Sequence, residues 1–395
     1  MSATRAWFPP LSDTLPADAD AALLIGRVWE PSVEGPTPVV VEGEVVKSLA
    51  SAYPTVSALL EEVDPPAAAH AAAGQVIGTL EEIYTNTAYD RRDAERPWFL
   101  APHDIQAVKA AGVTFAVSMI ERVIEERARG DHAAAAALRD MITSRIGTDL
   151  LGIVPGSERA AELKNVFVEE GLWSQYLEVG IGPDAEIFTK APPLSSRGTG
   201  EKIGVLRASS WNNPEPEVAL VLTSTGRAVG ALLANDVNLR DFEGRSALLL
   251  AKAKDNNASC ATGPLIRLFD DGFGIDDVRS MAVSVTVRGA DGFVLHAESD
   301  MRQISRDPLD LARQLMGPHH QYPDGAILML GTLFAPIEDR DVPGMGFTHR
   351  LDDVVEIRSD RLGALVNVVG VSEECDPWTF GTTALMMNLA RRGLL

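Results

Sequence analysis

Apolar and polar positions change rhythm twice along the chain. Residues 20–47 carry short alternating or β-branched runs, Ala22-Leu23-Leu24-Ile25-Gly26-Arg27-Val28 and Pro38-Val39-Val40-Val41, punctuated by proline and glycine. This pattern predicts a small β-rich unit. From Pro54 to Leu80 the spacing turns helical and alanine-rich. Residues 84–98 are then polar and rich in Asp and Arg, as a loop would be, before Trp98-Phe99-Leu100-Ala101-Pro102. Residues 117–145 hold strong helix formers, including Glu121-Arg122-Val123-Ile124-Glu125-Glu126-Arg127 and the run Ala133 to Ala137, and predict a helical excursion. Beyond about residue 165 strands dominate: Glu217-Val218-Ala219-Leu220-Val221-Leu222, Met281 to Arg288, Ala326-Ile327-Leu328-Met329-Leu330 and Asp353-Val354-Val355-Glu356-Ile357. The reading is an α+β, β-rich protein with a small N-terminal unit over 1–100, an active-site segment with the excursion over 101–165, and a large catalytic unit over 166–395.

Composition narrows the partners. A chain of 395 residues with 46% hydrophobic and 23% charged residues can bury a sizeable core. Its net charge of -21 argues against nucleic acid or an anionic membrane surface, both of which need a cationic face. Two cysteines, Cys260 and Cys375, are too few for a disulfide framework and lack a paired-thiol metal spacing. The N-terminus has no uninterrupted apolar core, and the stretch from Gly325 to Pro336 is well short of the ~20 residues that span a bilayer. A cytoplasmic protein is expected.

Acidic residues carry the candidate chemistry. In Pro214-Glu215-Pro216-Glu217-Val218 two carboxylates stand two positions apart at the mouth of an apolar strand, and the strand period of two turns them to one face. Pro216 removes a backbone donor between them, which suits an edge or an irregular strand entrance. A second apolar strand, Ala228 to Ala234, runs into Asn235-Asp236-Val237-Asn238-Leu239-Arg240-Asp241. Each signal alone also describes solvated surface acids or turn-forming residues. Together Glu215, Glu217 and Asp236 offer hard oxygen ligands without nearby His or Cys, which suits Mg2+ or Mn2+ better than zinc. Lys254 lies in a run too polar for a core and could neutralise an anionic oxygen or stand as a surface charge. The adjacent His319 and His320 lack zinc spacing, and Cys260 reads as a small buried side chain.

These residues resemble the fumarylacetoacetate hydrolase superfamily, whose members carry a Glu-x-Glu strand, a later Asn-Asp-Val loop and a Lys before Gly-Pro. The resemblance runs from about residue 100 to the C-terminus through Leu100-Ala101-Pro102, Gly112-Val113-Thr114-Phe115, Glu186-Ile187-Phe188-Thr189-Lys190, Pro214 to Leu222, Asn235 to Asp241, Lys254 to Pro264 and Gly331-Thr332. It implies a mixed β-roll of the fumarylacetoacetate hydrolase C-terminal type with a smaller N-terminal domain. Glu215, Glu217 and Asp236 would hold the metal, Lys254 would face the substrate, and Thr332 would hydrogen-bond its carboxylate. Lys190 and Arg240 would be weaker substrate-side groups.

Where many members place a His and a Glu three positions later, this chain has Ser118 and Glu121. That departure removes the base that activates water for C-C hydrolysis and leaves proton abstraction, with Glu121 or a water it positions as base and Ser118 steering a hydroxyl. The pattern looks like the 2-keto-3-deoxy-pentonate dehydratases of the superfamily. It implies a homo-oligomeric hydro-lyase acting on a small 2-keto-3-deoxy sugar acid with Mg2+ or Mn2+. An acylpyruvate hydrolase, an oxaloacetate decarboxylase or a non-catalytic binding protein of the same fold are the alternatives.

Overall fold

The computed structural model describes residues 7–128, 152–169, 171, 173–334, 338–340 and 346–395. Its strands are β1 Leu24–Glu30, β2 Gly35–Glu42, β3 Val45–Ser48, β4 Val76–Thr79, β5 Trp98–Phe99, β6 Ala107–Gly112, β7 Glu186–Ala191, β8 Lys202–Val205 and β9 Asn212–Asn213. There follow β10 Pro216–Leu222, β11 Ala228–Asp236, β12 Asn238–Leu239, β13 Cys260–Leu268, β14 Ala282–Arg288, β15 Val294–Asp300, β16 Ala326–Met329, β17 Val354–Ser359 and β18 Gly363–Val371. The large sheet has the order β4-β3-β2-β1-β13-β11-β10-β16-β6-β7, with β5 paired to β1, and a second sheet has the order β15-β14-β17-β18-β8. The strands expected in the N-terminal unit extend the large sheet, because β1 pairs with β13 through Leu24↔Arg267 and Ile25↔Ile266.

Period-two alternation in the middle of the large sheet builds two cores. Val218, Leu220 and Leu222 face one core with Val283, Val285 and Val355 of the second sheet, so the two sheets pack face to face. Ala219 and Val221 face the other core, which Val56, Leu59, Leu60 and Ala69 cover. Those four belong to the helices Val56–Leu60 and Pro65–Ala72, which are N-capped by the side chains of Thr55 and Asp64. Since β10 and the body of β11 are buried on both faces, they read in sequence as apolar runs, whereas the equally buried β13 carries Thr262 and Arg267.

Several expectations are refined. Val76–Thr79, expected within a helical stretch, is a strand that pairs with β3, held by the ladder after the alanine-rich helix ends. Pro216 opens an interior strand, not an edge strand. Its pairing with β16 begins only at Ala219, so Glu215 and Glu217 sit on a stretch bonded to β11 alone. Of the helical excursion, Ala116–Ala128 is a helix, while its continuation through Ala133–Ala137 to Arg145 lies outside the described residues. A further helix spans Glu158–Glu169.

Candidate active site

The start of β10, the end of β11, the ends of β16 and β6 and the start of β7 meet at one margin of the large sheet. Glu215 and Glu217 continue the parity of Ala219 and Val221 beyond the packed part of the face. Asp236 N-H donates to the Glu215 carbonyl at 3.0 Å, which locks the two strand ends together. The three side chains are 6%, 2% and 1% exposed, and one carboxylate oxygen from each lies within 4.8 Å of the others. They floor a recess with about 400 Å³ of free space, open solvent included, which Ser118, Arg122, Glu186, Glu243, Lys254 and Thr332 also line.

Basic groups grip this cluster. The Lys254 ammonium donates to Glu215 Oε2 and, at 3.0 Å, to Asp236 Oδ2. Lys190 pairs with Asp236 Oδ1 at 2.7 Å from the protein side, where its ammonium also donates to the carbonyls of Val237 and Lys254. Arg122 bridges Glu215 Oε1 at 3.0 Å and Glu243 Oε2 at 2.8 Å. Glu217 accepts from Gly331 N-H at 2.6 Å. Burial pushes the Glu217 carboxyl well above the usual carboxylate range, reinforced by the charges of Asp236 and Glu215. Burial also pushes Asp236 up, but Lys190 and Lys254 outweigh it and hold that group low.

The donor set fits a divalent cation. Three ionised carboxylates this close repel one another by at least about 3 kcal/mol per pair at an effective dielectric of ~20. Five carboxyl groups here, those of Glu186, Glu215, Glu217, Asp236 and Glu243, face the three cations Arg122, Lys190 and Lys254. If all are ionised the surplus is two negative charges, the complement of one divalent ion. The ligand atoms are all hard oxygens.

Most of the residues singled out in sequence converge on this recess, though not all. Lys254, for which the sequence left a site cation and a surface charge both open, ends the helix Leu250–Lys254 and is buried because two carboxylates draw it in. Ser118 lines the recess with its hydroxyl donated to the Phe115 carbonyl at 2.9 Å. Thr332 lines it too and accepts from Phe334 N-H at 3.0 Å. Glu121 is buried on the same helix as Ser118 but does not line the recess. Arg240 is also outside it, with its guanidinium 4.2 Å from the ring centroid of Trp211.

Sequence reading missed Arg122, Glu186 and Glu243. Glu186 stands in a segment whose only weighed member was Lys190, yet the β6-β7 register sets it opposite Gly112. A Cβ on Gly112 would lie 2.0 Å from Glu186 Oε2, so the glycine makes room for this carboxyl. Burial and the neighbouring Glu243 raise Glu186 to about 7, against the pull of Arg122 and Lys254. That value lets it give or take a proton near neutrality.

No family model matches the chain. The chain is 33% identical over 184 residues to a 2-dehydro-3-deoxy-D-arabinonate dehydratase of Saccharolobus solfataricus, covering 47% of this chain and 58% of the relative. It is 29% identical over 201 residues to a Haloferax volcanii protein named "Probable 2-keto-3-deoxyxylonate dehydratase", covering 51% and 65%. The chain thus spans about three-fifths of the length of these curated relatives. The solved structure of a 2-keto-3-deoxy-D-arabinonate dehydratase complexed with magnesium and 2,5-dioxopentanoate superposes with a TM-score of 0.59 at 21% identity, over 88% of this chain and 99% of that one. The β-rich α+β architecture expected from the sequence is borne out, and the chain shares its fold with that 2-keto-3-deoxy-D-arabinonate dehydratase structure.

Proposed function

We propose that this protein is a metal-dependent hydro-lyase that removes water from a 2-keto-3-deoxy-pentonate, 2-keto-3-deoxy-D-xylonate being the first candidate, to give 2,5-dioxopentanoate. The observation that carries this reading is the buried Glu215, Glu217 and Asp236 cluster beside Lys254 in a recess that Ser118, Arg122, Glu186 and Thr332 also line. The names and the bound magnesium and product of the similar proteins support it.

Glu215, Glu217 and Asp236 would hold Mg2+ or Mn2+. That ion supplies Lewis acidity toward the oxygens of a 2-keto acid and so lowers the cost of losing a C3 proton. The chain's own groups do the rest. Lys254 offsets negative charge as it grows on the substrate oxygen. Glu186, with a proton affinity near neutrality, takes the C3 proton or returns one during the later shifts. Water forms from the C4 hydroxyl and a proton, and tautomerisation of the resulting enone carries the C5 carbon to the aldehyde level without any oxidant. Ser118 and Thr332, which line the recess, would hydrogen-bond substrate hydroxyl or carboxylate oxygens. Lys190 acts from behind by fixing Asp236. Glu121 is the second candidate for the proton carrier. Arg240, stacked on Trp211, would reach a longer substrate only from outside the recess.

We also propose a homo-oligomer acting in the cytoplasm, with residues 1–100 as its packing unit; among the described residues no helix is long and apolar enough to cross a membrane. Mass spectrometry with aldehyde trapping tests the reaction on wild type and Glu217→Gln. Mg2+-dependent loss of water to 2,5-dioxopentanoate, abolished by the substitution, is the expected result. Pyruvate released from an acylpyruvate, with no dehydration, would transfer the assignment to a hydrolase.

A further inference from the structure

A second and larger cleft lies between β1, β5, the loop around Arg197 and the segment 376–380, and none of its lining residues belongs to the recess above. Its free space is about 1120 Å³, open solvent included. Trp29 and Trp98 stack across β1 and β5 with centroids 5.9 Å apart, Phe380 meets Trp29 edge-on at 5.3 Å, and Trp378 stands 44% exposed at the mouth.

Three arginines line this aromatic cleft, and two are seated. Arg92 pairs with Glu201 at 2.5 Å and lies over Trp98, while Arg197 reaches Glu201 at 3.7 Å and the Asp376 carbonyl at 2.5 Å. Arg27 differs. It is 4% exposed, its Nε donates to the Ala101 carbonyl at 3.0 Å, and its two terminal nitrogens have no acceptor among the described residues. The nearest opposing charge, Asp104, spends its carboxylate on the amides of Val56, Ser57 and Ile105. Buried guanidinium groups are stable when an anion completes their hydrogen bonds, and this one reaches only the cleft. Burial lowers its affinity for the proton, yet only to about 10, so it stays charged at neutral pH.

We propose that this cleft is a ligand site for a small organic anion, whose carboxylate or phosphate group is held by Arg27 beside Arg197 while an apolar or aromatic body lies against Trp98 and Trp378. The group is recognised by charge and fork geometry, and the body by the indole faces.

Calorimetric titration with benzoate and, separately, with inorganic phosphate tests the site on the full chain, with indole fluorescence followed in parallel. Saturable binding of benzoate that quenches fluorescence is expected, weakened about tenfold or more in Arg27→Met. Trp378→Ala, at an exposed position and tolerable to the fold, should weaken benzoate severalfold and leave phosphate unchanged; this arm decides the question if Arg27→Met does not fold. Phosphate binding without benzoate binding would support an anion subsite but overturn the aromatic contact. Absence of binding by both probes, equal binding by Arg27→Met and wild type, or a second copy of the chain occupying the cleft in a concentration-dependent dimer would overturn the proposal.

Discussion

The acidic recess and the arginine cleft are opposite solutions to buried charge. In the recess, carboxylates outnumber cations and two of the basic groups are shared, Lys254 between Glu215 and Asp236 and Arg122 between Glu215 and Glu243. In the cleft, Glu201 serves Arg92 and Arg197 while Arg27 has no ion pair among the described residues. A buried imbalance of either sign costs stability, so its sign points to the charge of what completes it: a divalent cation at one site and an anion at the other.

The strongest way to break this comparison is to remove a recess carboxylate. Glu217→Gln should lower turnover by about 10³-fold or more, since the loss of one of three ligands also loosens substrate alignment. It should leave the metal-free protein as stable as wild type or more so, because Glu217 is held against Asp236 and Glu215. Thermal unfolding with and without Mg2+ checks both halves: the variant should start at an equal or higher Tm and lose the increment that Mg2+ gives wild type.

Glu186→Gln should cost about 10²- to 10⁴-fold in kcat, the range of a general acid-base group. Glu186 sits at about 7 before a cation enters, and a nearby cation lowers that value. If Glu186 accepts the C3 proton, activity rises with pH through a limb at or below 7, and the Gln variant loses that limb. A pH-rate profile of both proteins decides this, and Glu121→Gln run beside them shows whether the buried helix carboxyl shares the role.

On the cleft side, His103 gives a stability test. It is 0% exposed, both ring nitrogens lack hydrogen-bond partners among the described residues, and burial plus nearby Arg27 depress it from 6.5 to about 3. Between these values the unfolded chain binds the proton and the folded chain does not, so stability is full above about 6.5 and falls as pH drops, by up to ~1.4 kcal/mol per pH unit. His103→Leu should flatten this slope in urea melts at pH 7 and pH 5. A pair outside both sites supplies the smallest effect: Lys164→Ala, which removes the exposed contact to Glu178, should change stability by no more than ~0.5 kcal/mol.

The same contrast explains what could be read in advance. Glu215, Glu217 and Asp236 were legible because they cap two adjacent strands whose apolar runs and period fix their direction. For Lys254 the local sequence left a site cation and a surface charge both open, because its polar neighbours do not show the two acids that the fold brings to it. Arg122 meets Glu215 across 93 positions and Gly331 meets Glu217 across 114, and no local pattern reports such meetings. Arg27 lay inside a strand that was read correctly, yet its isolation depends on where Asp104 spends its hydrogen bonds.

Manganese binding tests the central claim most directly, as electron paramagnetic resonance counts bound Mn2+ without any assumption about substrate. The account predicts one site per chain, displaced by Mg2+ and lost in Glu217→Gln, with Arg27→Met still binding. Equal binding by wild type and Glu217→Gln, or no binding to wild type, would contradict it.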